Sequence, residues 1–323
     1  MPRPATGYPP ALMRRPCCWG LPMKVSGFDP GNRSHWVFLA LLLATGWSLS
    51  GLIFRMIEHA NAPQIAFYRG IMLSTFLMSF VVMRYGRATP RAFRAIGKSG
   101  VAAGASLGIG SLFFLYAIEN TTIANVSFVN AATPFIAAAL GWVVLREAVA
   151  RRTIVACSIA VVGVAIMVWE SVAVGSWFGN LAALAGASLS AGYAVALRRG
   201  GGVDMMPAVV ISGYLTAVAA VPLMGGFTIT WHDLGFAALQ GVVISAVCNV
   251  AFTYCARHIP AAELTLLSMI ESVLSPFWVW LVLGETPYGA IIVGGAIVLA
   301  AVGIEALWPL RQRLRRRTGM AAR

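Results

Sequence analysis

Ten apolar stretches, each near the length a helix needs to cross a bilayer core of about 30 Å, constrain this chain more than any other feature. They run over roughly 36–56, 64–83, 99–118, 123–145, 153–169, 177–197, 207–224, 234–256, 260–283 and 288–308, with almost no charge inside them. Of the 323 residues, 59% are hydrophobic and only 11% are charged, against about 25% charged in a soluble domain. Such a chain cannot cover itself with polar surface, which excludes a soluble globular protein, a disordered chain and a secreted disulfide scaffold. In a bilayer each backbone polar group must be satisfied within its own segment, so the spans are expected to be helices. The expected fold is an all-α membrane protein of ten transmembrane helices. Short connections predict that successive helices pack as antiparallel hairpins.

The net charge of +13 would suggest nucleic acid in a soluble protein, but here it reads as topology. All Lys and Arg except Arg55 and Arg69 fall in the two tails or in the loops after spans two, four, six and eight. The opposite loops carry Glu58, Glu119, Glu170, Asp233 and Glu285 and no basic residue. By the positive-inside rule both termini are cytoplasmic, and the number of spans is even. Residues 1–34 hold seven prolines and five basic residues with no apolar core of a signal peptide, and are expected to form a flexible cytoplasmic tail. Residues 311–323 form a second, basic tail.

The two halves repeat. At a shift of 138, Ala124, Trp142, Leu145 and Glu147 fall on Ala262, Trp280, Leu283 and Glu285, and Tyr116 falls on Tyr254. Gly46-Trp47-Ser48-Leu49-Ser50 matches Gly186-Ala187-Ser188-Leu189-Ser190, and Pro63 before span two matches Pro207 before span seven. Each half has an odd number of spans, so the second enters the membrane inverted. Inverted repeats of this kind characterise secondary transporters, whose substrate site lies near the midplane between the halves.

These motifs resemble those of the drug/metabolite transporter superfamily, EamA type. The first repeat, 35–170, carries Ala132-Thr133-Pro134-Phe135 and Leu145-Arg146-Glu147. The second, 171–310, carries Glu271-Ser272-Val273-Leu274-Ser275-Pro276 and Leu283-Gly284-Glu285. Arg146 stands where the family pattern has glycine, and Ser272 where a Glu-Pro pair is common. The resemblance implies two inverted five-helix repeats in a bacterial inner membrane. It also implies export of amino acids or related small metabolites by alternating access. Import of a nucleoside-like or S-adenosyl metabolite is the alternative direction. A lipid-modifying enzyme is the alternative class, and it would need a polar cluster at one membrane interface, which the sequence does not display.

Ionisable groups inside a membrane are costly and mark function by default. Arg69 in span two, next to Tyr68, has two readings: its guanidinium fork holds a substrate carboxylate or phosphate, or it is structural, bonded to carbonyls or snorkelling. Glu271, near the middle of span nine, suits a proton-coupled step or a substrate amine. Ser127, Asn130, Thr133, Pro134 and Ala137 form a stripe on span four, and Thr265, Ser268, Glu271, Ser272 and Ser275 its repeat on span nine. Pro134 and Pro276 are expected to interrupt their helices. Asn249 on span eight, Ser48 and Trp47 on span one, and Tyr193 on span six complete the candidate substrate pathway. Spans five and ten lack such stripes and are expected at the periphery. Trp36, Trp177, Trp231 and Trp308 read as interface anchors, Arg55 as snorkelling, and Gly100, Gly104 and Gly108 as a close helix crossing.

No metal-binding, phosphate-loop or nucleophile-elbow motif occurs, so no catalytic residue, cofactor or metal is expected. The expected partners are a small-molecule substrate and the lipid bilayer, with no nucleic acid. A homodimer is left open.

Overall fold

The computed structural model describes the backbone of residues 33–120, 126, 129–168, 177–284 and 289–321. The N-terminal tail, Ser127, Glu170 and Glu285 lie outside the described residues, as do the side chains of Arg55, Glu119, Pro276 and Trp308. Every regular element among the described residues is helical. Seven helices are long and apolar enough to cross a membrane: Arg33–Phe54, Ala62–Ala95, Gly97–Ala117, Trp177–Arg199, Met206–Leu223, Trp231–His258 and Ala261–Val282. They fall on spans one, two, three, six, seven, eight and nine. Helices Thr133–Leu145, Arg151–Val168 and Gly289–Ala321 lie at spans four, five and ten.

Packing follows the repeat. Span three packs on spans six and seven, and correspondingly span eight packs on spans one and two. Span four packs on span six as span nine does on span one. The remaining large contacts, two on seven, four on nine and five on ten, each join an element to its own repeat mate. Exchanging the halves leaves this pattern unchanged, as a twofold relation between repeats requires.

Small residues bring these helices together. A Cβ on Gly104 would sit 2.7 Å from the Ala208 carbonyl oxygen, and one on Gly108 would sit 2.8 Å from that of Ser212. Gly100 instead faces Ile96 of its own neighbourhood, so the crossing of spans three and seven uses only the later two glycines. Where spans two and seven cross, Ser74 Oγ donates to the Val210 carbonyl at 2.8 Å.

Spans four and nine are both broken, at equivalent places. In span four a turn at Ala131 and Ala132 precedes Thr133–Leu145. In span nine a turn at Met269, 138 residues on from Ala131, separates Ala261–Ser268 from Ile270–Leu283. Pro134 occupies the first turn of its half-helix, where a missing N–H costs nothing. Pro276 corrects the expectation from sequence: the helix runs through it, and the break lies two turns earlier. One proline forfeits a single backbone bond, which a helix packed among others tolerates.

The family departure at Arg146 leaves a physical mark. Both second half-helices end in a left-handed residue, Arg146 at φ 56° and Gly284 at φ 70°. Arg146 is the one non-glycine residue with positive φ among the described residues. A left-handed L-residue costs about 1–2 kcal/mol, which glycine avoids. Arg146→Gly is therefore expected to raise the thermal midpoint of the purified protein. A lower midpoint would show that the side chain contributes more than the backbone strain removes.

Span eight departs from the repeat. Between Trp231–Ala238 and Val247–His258 it is wound as a π-helix over Leu239–Ala246. Its mate, span three, is an unbroken α-helix over Gly97–Asn120.

Candidate functional site

Polar groups in the interior sort by whether another part of the chain already satisfies them. Those near the helix ends are satisfied, and almost always across the two repeats. At the end of the bundle where the basic residues gather, Arg33 pairs with Glu263. Arg198 Nε lies 2.7 Å from both carboxylate oxygens of Glu147, and its Nη1 reaches the Ile259 carbonyl at 3.1 Å. Arg152 Nε lies 3.3 Å from Glu305 Oε1 without hydrogen-bond alignment, while Thr153 Oγ1 donates to that oxygen at 3.2 Å. Tyr85 donates to Asp204 Oδ2 at 2.9 Å. Each of these contacts except Arg198 to the Ile259 carbonyl has one partner in each half. Glu263 and Glu305 are fully buried, and each keeps one oxygen without a partner. A cavity of about 350 Å³ opens among Arg33, Arg152, Arg198, Glu147, Glu263 and His258.

At the opposite end the seam is made by backbone. Buried Asp233 accepts the backbone N–H groups of Glu58, His59 and Ala60 at 3.0–3.1 Å. Asn61 and Gln64, which cap span two reciprocally, also donate to the carbonyls of Met224, Gly226 and Thr228. Tyr68 donates to the Phe227 carbonyl. Tyr68 thus ties the loop after span seven to span two.

Between these two seams the pathway candidates divide. Ser48 is fully buried and fully used: it donates to the Thr45 carbonyl at 2.6 Å and accepts Trp278 Nε1 at 2.8 Å. Tyr193, Phe252 and Trp47 follow one another with centroid spacings of 5.4 Å. Tyr193 Oη lies 3.5 Å from Asn249 Oδ1, and Asn249 donates to the Ser245 carbonyl at 2.8 Å. A Cβ on Gly46 would sit 2.8 Å from Cys248 Sγ, and Cys248 in turn lies near Glu271. Trp47, Tyr193, Asn249 and Glu271 therefore gather where spans one, six, eight and nine meet.

Among the described residues, the ionisable or amide candidates Arg69, Asn130 and Glu271 hold no hydrogen bond or ion pair and keep accessible surface, as do Trp47, Thr133, Ser272 and Ser275. Glu271 sits in the first turn of the second half-helix of span nine. Asn130 sits one residue before the break of span four. Each interrupted helix thus presents a free polar head at its break.

Two expectations need correction. Trp36 is no interface anchor: it is 8% exposed and stacks on His258 with centroids 3.8 Å apart, because the start of span one folds against the ends of spans eight and nine. Trp177 and Trp231 are exposed, as anchors would be. A polar cluster does exist at one end, contrary to the reading of the sequence. Its carboxylates are paired with arginines, and no group of three metal-binding side chains occurs among the described residues. The sequence reading missed Glu305 and Asp204. Glu305 is an acid inside the last apolar span, and that position was the available signal. Its meaning depends on Arg152 and Thr153, brought in by the packing of span five on span ten.

Removing one partner of a buried pair costs about 3–5 kcal/mol, because the other charge stays behind. Glu305→Ala should lower the thermal midpoint markedly, and adding Arg152→Met should recover part of the loss. A double variant no better than the single one would show that the pair is not coupled.

The sequence profile of the EamA-like transporter family matches residues 34–169 and 177–304, once for each repeat. No curated protein matches the chain. A solved structure titled "Crystal structure of protein" superposes with a TM-score of 0.74 at 15% identity, covering 86% of this chain and 99% of its own. At that identity it speaks for the fold alone.

Proposed function

The chain belongs to the EamA-like transporter family, and from that premise we propose that it is a secondary active exporter of amino acids or related small metabolites. It is a multi-pass membrane transporter of small molecules. In the proposed reading ten helices span a bacterial inner membrane, with the basic end and both termini in the cytoplasm. The permeant binds near the midplane, between the repeats. The observation that carries this reading is the matched pair of helix breaks, at Ala131–Ala132 and at Met269, with Asn130 and Glu271 free beside them. Free polar side chains beside helix turns are tolerated inside a membrane where they line a cavity or bind something.

Alternating access needs two ends that can each open and close. The basic end is held by cross-repeat ion pairs and the other by the Asp233 seam. Both sets of contacts join the two halves, so rocking one repeat against the other would break one set at a time.

The test is flux through the purified protein in liposomes, loaded or challenged with a panel of amino acids and metabolites. Saturable movement of at least one compound is expected, and oriented counterflow gives its direction. No movement of any compound by folded protein would overturn the reading. If Glu271 carries the coupling proton, Glu271→Gln should flatten the pH profile of that flux. A profile identical to wild type would remove Glu271 from the coupling step.

A further inference from the structure

Arg69 is the eighth residue of helix Ala62–Tyr85, about 10 Å along it, within an apolar span. The other arginines that are not exposed have partners among the described residues. Arg33, Arg84, Arg152 and Arg198 face carboxylates, and Arg257 donates to the Val203 carbonyl. Arg69 faces none. It donates no hydrogen bond, forms no ion pair, and no acidic side chain stands beside it. Its nitrogens nevertheless keep accessible surface. The residue is half-buried, and some surface is left on its guanidinium.

Span eight crosses span two closely at this residue. A Cβ on Gly241 would sit 2.8 Å from the Arg69 carbonyl oxygen and 3.4 Å from its Cγ. The absence of a side chain at 241 is what lets the backbone of span two approach at Arg69. Gly241 lies in the π-wound stretch Leu239–Ala246, and such windings occur mostly at functional sites. The residue before it, Gln240, is 2% exposed and its amide oxygen has no partner. The segment that meets span two at Arg69 therefore holds an unsatisfied polar group of its own.

The glycine crossing has a parallel in the other half, where Gly104 and Gly108 of span three meet span seven, but the charge and the winding do not. At the shift that carries Pro63 onto Pro207, Arg69 falls on Gly213. Span three, the mate of span eight, has no π-wound stretch. The fold forms in one half without the charge and without the winding, so in the other half they answer to something besides folding.

We propose that Arg69 is the anchor for an anionic group, a carboxylate or a phosphate, and that the transported molecule carries that group. The proposal rests on the transporter reading and names its substrate class. An uncompensated cation in a low-dielectric interior is unfavourable until an anion arrives. A guanidinium offers two parallel donors that match the two oxygens of a carboxylate or phosphate. Glu271 does not serve as its counter-ion, since neither group has the other as an electrostatic neighbour.

The test uses thermal unfolding of the purified full-length protein in detergent, as wild type, Arg69→Gln and Arg69→Lys. An unpaired buried charge destabilises the empty protein, so Arg69→Gln should melt about 2–4 °C above wild type when no probe is present. If it melts below wild type, Arg69 is a structural residue and the inference is overturned. Glutamate, succinate and inorganic phosphate are then added at millimolar concentration, with putrescine and uridine as cationic and neutral controls. At least one anion should raise the wild-type midpoint, none should raise that of Arg69→Gln, and Arg69→Lys should need about tenfold more of the effective anion. Absence of any anion effect on wild type overturns the inference. Stabilisation by phosphatidylglycerol alone, lost in Arg69→Gln, assigns the site to a lipid headgroup and also overturns it. Liposome flux separates the two levels of the argument. Movement of only neutral or cationic compounds keeps the transporter and removes the anionic anchor. No flux, with anion binding intact, removes the transporter reading and leaves the binding site.

Discussion

Hydrocarbon offers a polar group no hydrogen bond, and that single fact governs where this chain puts its charge and its irregular backbone. A regular helix satisfies its own backbone and can sit anywhere in the bundle. A carboxylate, a guanidinium or a broken helix turn cannot. In this protein such groups are matched by the opposite repeat at the two ends, where Glu263, Glu305, Glu147 and Asp233 all find partners in the other half. Between the ends, Arg69, Asn130 and Glu271 have no such partner among the described residues.

The same constraint explains why the two seams differ in chemistry. At one end the linking groups are long side chains of both signs, buried deeply enough that losing one partner is costly. At the other, one carboxylate gathers three backbone N–H groups from a short turn. Both arrangements connect the halves without passing through the middle. Movement between the repeats is thus resisted at the ends.

Symmetry separates architecture from specialisation. Helix crossings, the breaks in spans four and nine and the left-handed helix ends all recur in both halves, so they belong to the fold. Arg146 shows how strong that demand is, since it adopts the backbone of the glycine it replaces. The π-wound stretch and Arg69 have no counterpart in the other half.

Much of this was legible in one dimension. Runs of apolar residues announce helices in a membrane because both length and polarity are local properties. The repeat was legible because inversion preserves residue order, and the glycines at 104 and 108 because close crossing needs small residues at helical spacing. What the sequence could not decide was which polar group meets which. Glu305 and Thr153, or Asp233 and His59, are more than a hundred residues apart, and nothing local links them. Pro276 looked like the break because proline is a local signal, yet the turn falls at Met269. The sequence alone determined that the chain is a helical membrane protein of two related halves, since periodicity and composition suffice for that. Only the tertiary structure decided that Ser48 is spent on Trp278, that Trp36 is buried, and that Arg69 is free. Whether a polar group is satisfied depends on neighbours that folding brings from elsewhere in the chain.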